Sequence, residues 1–152
     1  FVGESFGRIN KPEAELTLSA LQQLFEKIGR ARILEENIDV GIISPYRAQV
    51  QYLRQLIKRR EFYKPYRRLI TVNTVDGFQG QERDIIIISL VRSNEQGQIG
   101  FLNDLRRMNV AITRARMKLI IIGDVATLNR HRFYRRLYEY IEEVGKDFVC
   151  SV

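Results

Sequence analysis

The segment that most constrains the fold is Asp84–Val91, which contains four consecutive isoleucines, Ile85 to Ile88. β-branched residues favour strands, and a strand without polar alternation is buried on both faces. Such strands belong to parallel sheets that helices cover on both sides. The isoleucine run is also far too short to cross a bilayer. The segment therefore predicts a central strand of an α/β domain, and we expect no membrane association.

The rest of the chain alternates between the two patterns that such a domain needs. Helical spacing predicts helices over residues 10–28, 46–60, 103–115 and 126–144. Apolar, β-branched runs predict further strands over residues 38–44, 69–73 and 117–122, with a possible edge strand at 147–150. Helices that alternate with continuous apolar strands predict an α/β fold with a mostly parallel sheet. Ligands of such a sheet bind outside the carboxyl ends of its strands.

Length and composition limit the kind of protein. A chain of 152 residues and 17.9 kDa corresponds to one domain. Cys150 is the only cysteine, so no internal disulfide can form, and without an N-terminal leader we expect an intracellular protein. His131 has no companion ligands at metal-binding spacing, so we expect no metal site. The chain starts at Phe1 and not at Met, which predicts a fragment or a processed piece, and without a phosphate-binding loop it cannot be a complete P-loop enzyme by itself.

The charge balance favours a polyanionic partner. The chain has 25 Lys and Arg against 18 Asp and Glu, a net charge of +7. Each phosphate that such a surface neutralises releases condensed counterions, which favours binding to nucleic acid. Many basic domains bind no nucleic acid, so charge alone leaves both readings open.

The loop Thr74–Asp84 carries the strongest motif and lies between two predicted strands. Gly77 and Gly80 permit backbone conformations and close approaches that a Cβ would block. Glu82 suits a ribose hydroxyl better than a phosphate, because a carboxylate binds phosphate only through a bridging cation. A plain polar connection with two turn glycines is the alternative.

A second motif is Asn103–Arg116, for which a helix is predicted. One stripe of that helix is apolar and should face the sheet; it contains Leu105, Met108, Ile112 and Ala115. Arg107 and Arg114 lie seven residues apart and share the opposite face, whereas Arg116 returns towards the buried side near the helix end. Two arginines on a rigid helix suit a phosphate or a partner domain, and a solvated basic face is the alternative.

The third motif, Gly41–Gln49, is a strand that leads into a helix. Ser44 is a candidate cap for that helix, and Pro45 suits its first turn. The amides at the helix start would suit a phosphate. Tyr46 could stack on a base or pack in the interior.

These three motifs occur in order at the predicted strand exits, and together they resemble the second RecA-like domain of superfamily 1 helicases. The closest likeness is to the 5′-to-3′ branch that contains the nonsense-mediated-decay helicase and senataxin. Gly41–Gln49 is similar to motif IV, Thr74–Asp84 to motif V and Asn103–Arg116 to motif VI. Residues 10–14, 89–94 and 99–104 also resemble that branch, so the likeness covers nearly the whole chain.

The resemblance implies a RecA-like three-layer domain over residues 1–152 and gives its nucleotide-binding residues particular roles. Arg114 would be the arginine finger that reaches the γ-phosphate of ATP, and Arg107 would assist across the interdomain cleft. Glu82 would contact the ribose, with Gly80 on the same edge. Gln79 would couple the nucleotide state to strand binding.

The resemblance also implies a nucleic-acid track and a missing partner domain. The track would be bordered mainly by backbone groups of Ser44, Pro45, Tyr46, Thr74, Val75 and Asp76. The cofactor would be ATP with Mg²⁺, whose ligands belong with the phosphate loop on the N-terminal RecA-like domain. The expected partners are that domain and single-stranded DNA or RNA, and the chain alone should be inactive as an ATPase.

Two alternatives from other functional classes stay open on the sequence. One is a non-catalytic nucleic-acid-binding module that keeps the fold without its partner domain. The other is a nuclease-associated interaction module, since helicase halves of this kind are often fused to nucleases.

Overall fold

The computed structural model describes residues 9–44, 46–78, 81–89, 114–123 and 147–150. Within these ranges, five strands form one sheet: β1 (Val40–Ile43), β2 (Ile70–Asn73), β3 (Arg83–Ser89), β4 (Ala115–Gly123) and β5 (Asp147–Cys150). Neighbouring strands are parallel, in the order β2-β1-β3-β4-β5. The predicted α/β class and parallel sheet are confirmed, and so is the edge strand at 147–150.

The described helices are α1 (Lys11–Ile28), α2 (Arg30–Glu36) and α3 (Arg47–Arg59), with 3₁₀ segments at Glu61–Leu69 and Val75–Phe78. Helix α1 begins where the Asn10 side chain accepts a hydrogen bond from the Glu13 amide, with a proline in the first turn. It ends at Gly29, whose φ of 98° suits glycine. None of the described helices is long and apolar enough to span a membrane.

One face of the sheet packs against all three α-helices and the longer 3₁₀ segment. Alternate strand residues face this layer because side chains along a strand point to opposite faces. The cluster joins Leu18 of α1 and Leu53 of α3 to sheet residues Val40, Ile42, Val72, Ile85, Ile87, Ile120 and Ile122. The remaining isoleucines of the run, Ile86 and Ile88, point to the other face and are equally buried. Both faces of the sheet are therefore covered, as a three-layer domain requires.

Strand order places the topological switch between β1 and β3. Ile42 of β1 pairs with Val72 of β2 on one side and with Ile87 of β3 on the other. The chain thus moves outwards from β1 in both directions. In a doubly wound sheet of this order, the crevice beside the switch is the usual place for a ligand.

The helix α2 and the longer 3₁₀ segment are two of the helical elements that the sequence patterns did not predict. Helix α2 has only seven residues and contributes a single buried side chain, Ile33, so its periodicity is too short to recognise. The 3₁₀ segment Glu61–Leu69 contains Pro65 and buries Tyr63, Tyr66 and Leu69 at a spacing of three residues. That spacing follows from three residues per turn and not from the α-helical 3.6.

The predicted end of the helix at 103–115 is wrong. Arg114 lies in a turn and Ala115 already belongs to β4, where the Arg83 amide donates to the Arg114 carbonyl. Arg116 is consequently an exposed strand residue instead of a helix residue that turns inwards. Backbone pairing with β3 sets this boundary, and helical periodicity cannot show such a long-range partner. Residues 103–113 and 126–144 of the predicted helices lie outside the described residues.

Candidate functional site

Those predicted site residues that the structure describes lie at two opposite edges of the parallel sheet. Ser44 and Thr74 follow the carboxyl ends of β1 and β2. Glu82 and Arg114 instead precede the amino ends of β3 and β4. The expectation that all three motifs gather at strand exits is therefore wrong for these two residues. A connection between parallel strands must return to the starting edge, so each connecting motif ends at the opposite edge from where it begins.

At the carboxyl edge, the side-chain amide of Gln49 and the backbone of Asn10 join the start of α1 to the start of α3. The Asn10 amide donates to Gln49 Oε1 at 3.0 Å, and Gln49 Nε2 donates back to the Asn10 carbonyl at 3.1 Å. Gln49 is fully buried, so both of these polar groups need a protein partner. The reciprocal bonds fix the positions of two helix N-termini relative to one another.

A buried carboxylate continues this network towards the switch point. Glu13 is 1% exposed, and Ser89, the last residue of β3, donates through Oγ to Glu13 Oε2 at 2.9 Å. The Glu13 amide donates to Asn10 Oδ1 at 3.0 Å. We name Asn10, Glu13, Gln49 and Ser89 the exit network, because it surrounds the exits of β1 and β3.

The predicted nucleic-acid-binding residues beside the exit network present little side-chain surface. Ser44 is fully buried and Tyr46 is 3% exposed, so the Tyr46 ring packs in the interior. Ser44 is not the helix cap, because α3 begins at Arg47 with Tyr46 as its N-cap residue. Any contact from these two residues with a ligand would therefore use the backbone.

The other predicted track residues follow β2 directly. The Thr74 amide donates to Asn73 Oδ1 at 2.8 Å, and Val75 and Asp76 begin the short 3₁₀ segment. The Gly77 amide closes that turn by donating to the Thr74 carbonyl at 3.0 Å. A Cβ on Gly77 would overlap the side-chain amide of Asn73, so a larger residue there would require that amide to move. Pro45 lies outside the described residues.

Phe78 anchors the motif Thr74–Asp84 against the sheet. Its side chain is fully buried against the strand face at Gly41, where a Cβ would approach Phe78 Cε1 to 2.8 Å and Ile86 Cδ1 to 2.9 Å. The guanidinium of Arg83 lies 5.4 Å from the centroid of the same ring. The segment between Thr74 and Arg83 thus connects the carboxyl edge to the amino edge through one anchored aromatic ring.

At the amino edge, Glu82 and Arg114 are neighbours. Arg83 pairs with Ala115 at the start of the β3–β4 ladder, so Glu82 and Arg114 immediately precede two adjacent strands, which lie about 4.8 Å apart. Glu82 is exposed and Arg114 is half-buried. An exposed carboxylate-bearing residue and a half-buried arginine thus precede neighbouring strands at this edge. Gln79, Gly80 and Arg107 lie outside the described residues.

An ion-pair cluster beside them holds the starts of β1, β3 and β4 together. Asp39 and Asp84 each accept the other's backbone N–H, at 3.2 and 2.7 Å. Arg116 bridges the two carboxylates, with Nε 3.1 Å from Asp84 Oδ1 and Nη2 3.3 Å from Asp39 Oδ1. The hydrogen bond to Asp84 raises the pKa of the Arg116 guanidinium. We name Asp39, Asp84 and Arg116 the entry clasp.

Sequence reasoning assigned no role to Glu13, Gln49 or Ser89, although two signals were present. Asn10 and Glu13 have the spacing of a capping box, but the Glu13 carboxylate turns into the interior instead of back to the cap. Gln49 precedes Leu53 by one helical turn and so places an amide on the apolar face of α3. A polar residue on such a face indicates a buried hydrogen-bond partner.

Comparison with known proteins identifies the family. The AAA domain family matches residues 3–126. The chain is 38% identical over 98% of its length to the probable helicase MAGATAMA 3 of Arabidopsis thaliana, of which it covers 18%. It is 40% identical over 95% of its length to an uncharacterized ATP-dependent helicase of Methanocaldococcus jannaschii, of which it covers 19%. It is 43% identical over 78% of its length to helicase sen1 of Schizosaccharomyces pombe, of which it covers 7%.

The chain thus spans less than a fifth of the length of each of these relatives. The family match and the relatives agree with the three motifs in the order found here. The parallel sheet with both faces covered is the architecture expected of this family. This chain therefore belongs to the AAA domain family of superfamily 1 helicases, in the branch that contains the nonsense-mediated-decay helicase and senataxin.

Proposed function

We propose that the chain is the second RecA-like domain of an ATP-dependent helicase or translocase that moves along single-stranded DNA or RNA. The observation that carries this proposal is the separation of the predicted residues onto two edges. Ser44 and Thr74, which are predicted to contact nucleic acid, lie at the carboxyl edge, whereas Glu82 and Arg114, which are predicted to contact the nucleotide, lie at the amino edge. A translocase needs one site for ATP and another for nucleic acid, and the two edges would provide a separate place for each.

The amino edge fits part of an ATP site. The accessible Glu82 carboxylate would accept hydrogen bonds from ribose hydroxyls, and Arg114 would bind the γ-phosphate. ATP supplies a phosphoryl group whose oxygens carry the charge that an arginine finger stabilises during transfer. Asp39 and Asp84 are engaged by Arg116, so we infer that the Mg²⁺ ligands and the phosphate loop belong to a preceding domain.

Coupling between the two edges would pass through the segment from Thr74 to Arg83. Phe78 holds the middle of this segment in the interior, so its ends cannot shift independently of the sheet. Closing a cleft onto the nucleotide at Glu82 and Arg114 would move the whole domain as one body. The track at Thr74 would then advance relative to the preceding domain, as in hinged domain closure.

The test of this function is Arg114→Ala in the full protein that carries the chain. An arginine finger contributes about 10³–10⁵ in kcat, so single-strand-stimulated hydrolysis should fall by that order. ATP affinity, measured by equilibrium binding, should change little, because the finger acts mainly in the transition state. Arg116→Ala is the matched control, since it removes the same charge two residues away, and it should retain hydrolysis.

Equal loss of ATP binding and hydrolysis in Arg114→Ala would argue against the finger. The isolated chain should hydrolyse no ATP in the presence of single strands. Robust turnover by the purified 152-residue chain would contradict the assignment of the phosphate loop to another domain.

A further inference from the structure

A basic pocket at the outer edge of β2 has no role in the motifs described above. Its volume is about 330 Å³, within the range of small-ligand sites. It lies between the second half of α3, the end of the long 3₁₀ segment and β2. The lining residues are Arg54, Ile57, Lys58, Arg67, Ile70, Thr71 and Val72.

Three cationic side chains, Arg54, Lys58 and Arg67, line this pocket, and its lining contains no carboxylate. None of the three has an ion pair with another described residue. By contrast, Arg32, Arg60 and Arg116 each pair with a nearby Asp or Glu. The described carboxylates therefore leave the charge of this pocket without an ion-pair partner.

Two of these cations are held in place by backbone carbonyls. Arg54 donates through Nε and Nη2 to the Val72 carbonyl, at 3.0 and 2.7 Å. An arginine has five N–H donors, so three on Arg54 remain for a ligand. Arg67 is anchored through Nη2 to the Lys58 carbonyl. Guanidinium groups already oriented by the fold lose less entropy when they bind an anion.

The same contacts make this edge a poor place for an added peptide strand. Alternate residues of a parallel strand direct their N–H and C=O to the same side, and the Asn73 carbonyl points to β1 through Ser44. The backbone N–H and C=O groups of Ile70 and Val72 therefore point away from the sheet, towards its open edge. The Val72 carbonyl accepts hydrogen bonds from the Arg54 side chain, and the Ile70 amide donates to the Arg67 carbonyl. Half of the outward hydrogen-bonding groups are thus already used by this chain.

The position of the pocket points to a nucleic-acid strand. Ile70 and Thr71 lie three to four residues before Thr74 of the proposed track, a distance of roughly 10–13 Å along extended chain. The apolar side chains of Ile57 and Val72 contribute to the wall beside the cations. A strand that leaves the track over the end of β2 would meet the pocket within a few nucleotides.

We propose that Arg54, Lys58 and Arg67 form a phosphate-binding subsite that holds the backbone of the single strand after it leaves the track. This inference rests on the proposed function. Arg54 and Arg67 supply oriented N–H donors, and Lys58 supplies a mobile ammonium group at the rim. The subsite lengthens the occupied stretch of nucleic acid beyond the three helicase motifs.

The test uses Lys58→Glu, because Lys58 is exposed and its side chain makes no described contact that the fold needs. Arg59→Glu is the matched control, since Arg59 is also exposed, follows Lys58 directly and does not line the pocket. Affinity for a fluorescent oligothymidylate is measured by anisotropy on the full protein. We expect about tenfold weaker binding for Lys58→Glu and little change for Arg59→Glu. Lys58→Ala should lower the slope of log K against log salt by roughly 0.7 for one lost phosphate contact.

Four outcomes would overturn the subsite. The first is equal weakening in Lys58→Glu and Arg59→Glu, which would indicate a general effect of charge. The second is an unchanged salt slope in Lys58→Ala. The third is affinity for an oligoglutamate peptide that depends on Lys58 while strand affinity does not, which would assign the pocket to an acidic protein. The fourth is a wild-type protein that neither binds the strand nor shows stimulated ATPase, and only this outcome also removes the proposed function.

Discussion

The two edges of the sheet are held together by different kinds of interaction. At the carboxyl edge, the exit network joins α1, α3 and β3 through hydrogen bonds of buried side chains. At the amino edge, the entry clasp joins β1, β3 and β4 through partly exposed charges, and the Arg116 side chain is 46% exposed. Removing a partner from buried polar groups is costly, whereas exposed ion pairs contribute little and are screened by salt.

The contrast suggests a division of mechanical roles. A nucleic-acid track of the kind proposed would need fixed backbone groups, and the exit network fixes the helix start and the strand ends beside the residues predicted for it. An edge that closes on a nucleotide and opens again benefits from contacts that adjust at little cost. The following substitutions test this contrast, from the largest expected effect to the smallest.

Phe78→Ala should give the largest effect, because Phe78 connects the two edges and is fully buried. Truncation of a buried phenylalanine costs about 3–5 kcal/mol of unfolding free energy. Urea unfolding of the chain measures this loss. The half-buried Phe62 is the control, and Phe62→Ala should cost clearly less. Similar losses at the two positions would show that Phe78 is not a special anchor.

Ser89→Ala tests the exit network. It removes a donor from the Glu13 carboxylate, which is 1% exposed, and should cost about 1–3 kcal/mol. Ser19→Ala, on the exposed side of α1, should stay within about 0.5 kcal/mol of the wild type. Both values come from denaturant unfolding at neutral pH. A Ser89 variant as stable as the Ser19 variant would contradict the contrast between the edges.

Tyr63→Phe tests a position in the helical layer, remote from both edges. The Tyr63 hydroxyl donates to the Leu18 carbonyl, so its loss should cost about 0.5–1.5 kcal/mol. Burial raises the pKa of Tyr63 above its ordinary value of 10.0. The stabilisation from the neutral phenol is therefore complete below that pH and is lost as the pH rises above it.

Measurement of the unfolding free energy from pH 8 to pH 11 checks this sign. The wild type should lose stability at the alkaline end, and Tyr63→Phe should lose less, so the two curves should converge. Parallel curves would show that Tyr63 does not carry the alkaline transition.

Arg116→Gln should have the smallest effect on stability. The charges of the entry clasp are partly exposed, so its contribution should be larger at low ionic strength than in about 1 M salt. Thermal unfolding at both salt concentrations measures the difference. A large loss of stability that persists in high salt would show that the contacts at the two edges contribute to stability in the same way.

Patterns within a few residues predicted most of the fold, because they are set by local spacing and burial. The isoleucine run predicted a doubly buried parallel strand, and β3 has that environment. The predicted helices at 10–28 and 46–60 correspond to α1 and α3. Two shorter elements were not predicted. The seven residues of α2 are too few to show a helical period, and the three-residue spacing around Tyr63 does not match the 3.6-residue period of an α-helix.

The site depended on information that a linear pattern does not contain. Arg114 was predicted to be helical because its neighbours have helical spacing, yet its carbonyl pairs with Arg83 across the sheet. Glu82 was expected at a strand exit because it belongs to a loop, and only the direction of β3 assigns it to the opposite edge. The roles of these residues at the nucleotide remain predictions.

The strand order has a consequence for how the chain acquires its structure. β1 lies between β2 and β3, so Val40 must find both Ile70 and Ile85, which leave the ribosome well after it. Until then, an apolar strand stays unpaired along both of its sides. Non-local pairing of this kind slows folding and exposes nascent chains to aggregation. We expect the early part of this domain to depend on chaperones during translation until the isoleucine run has emerged.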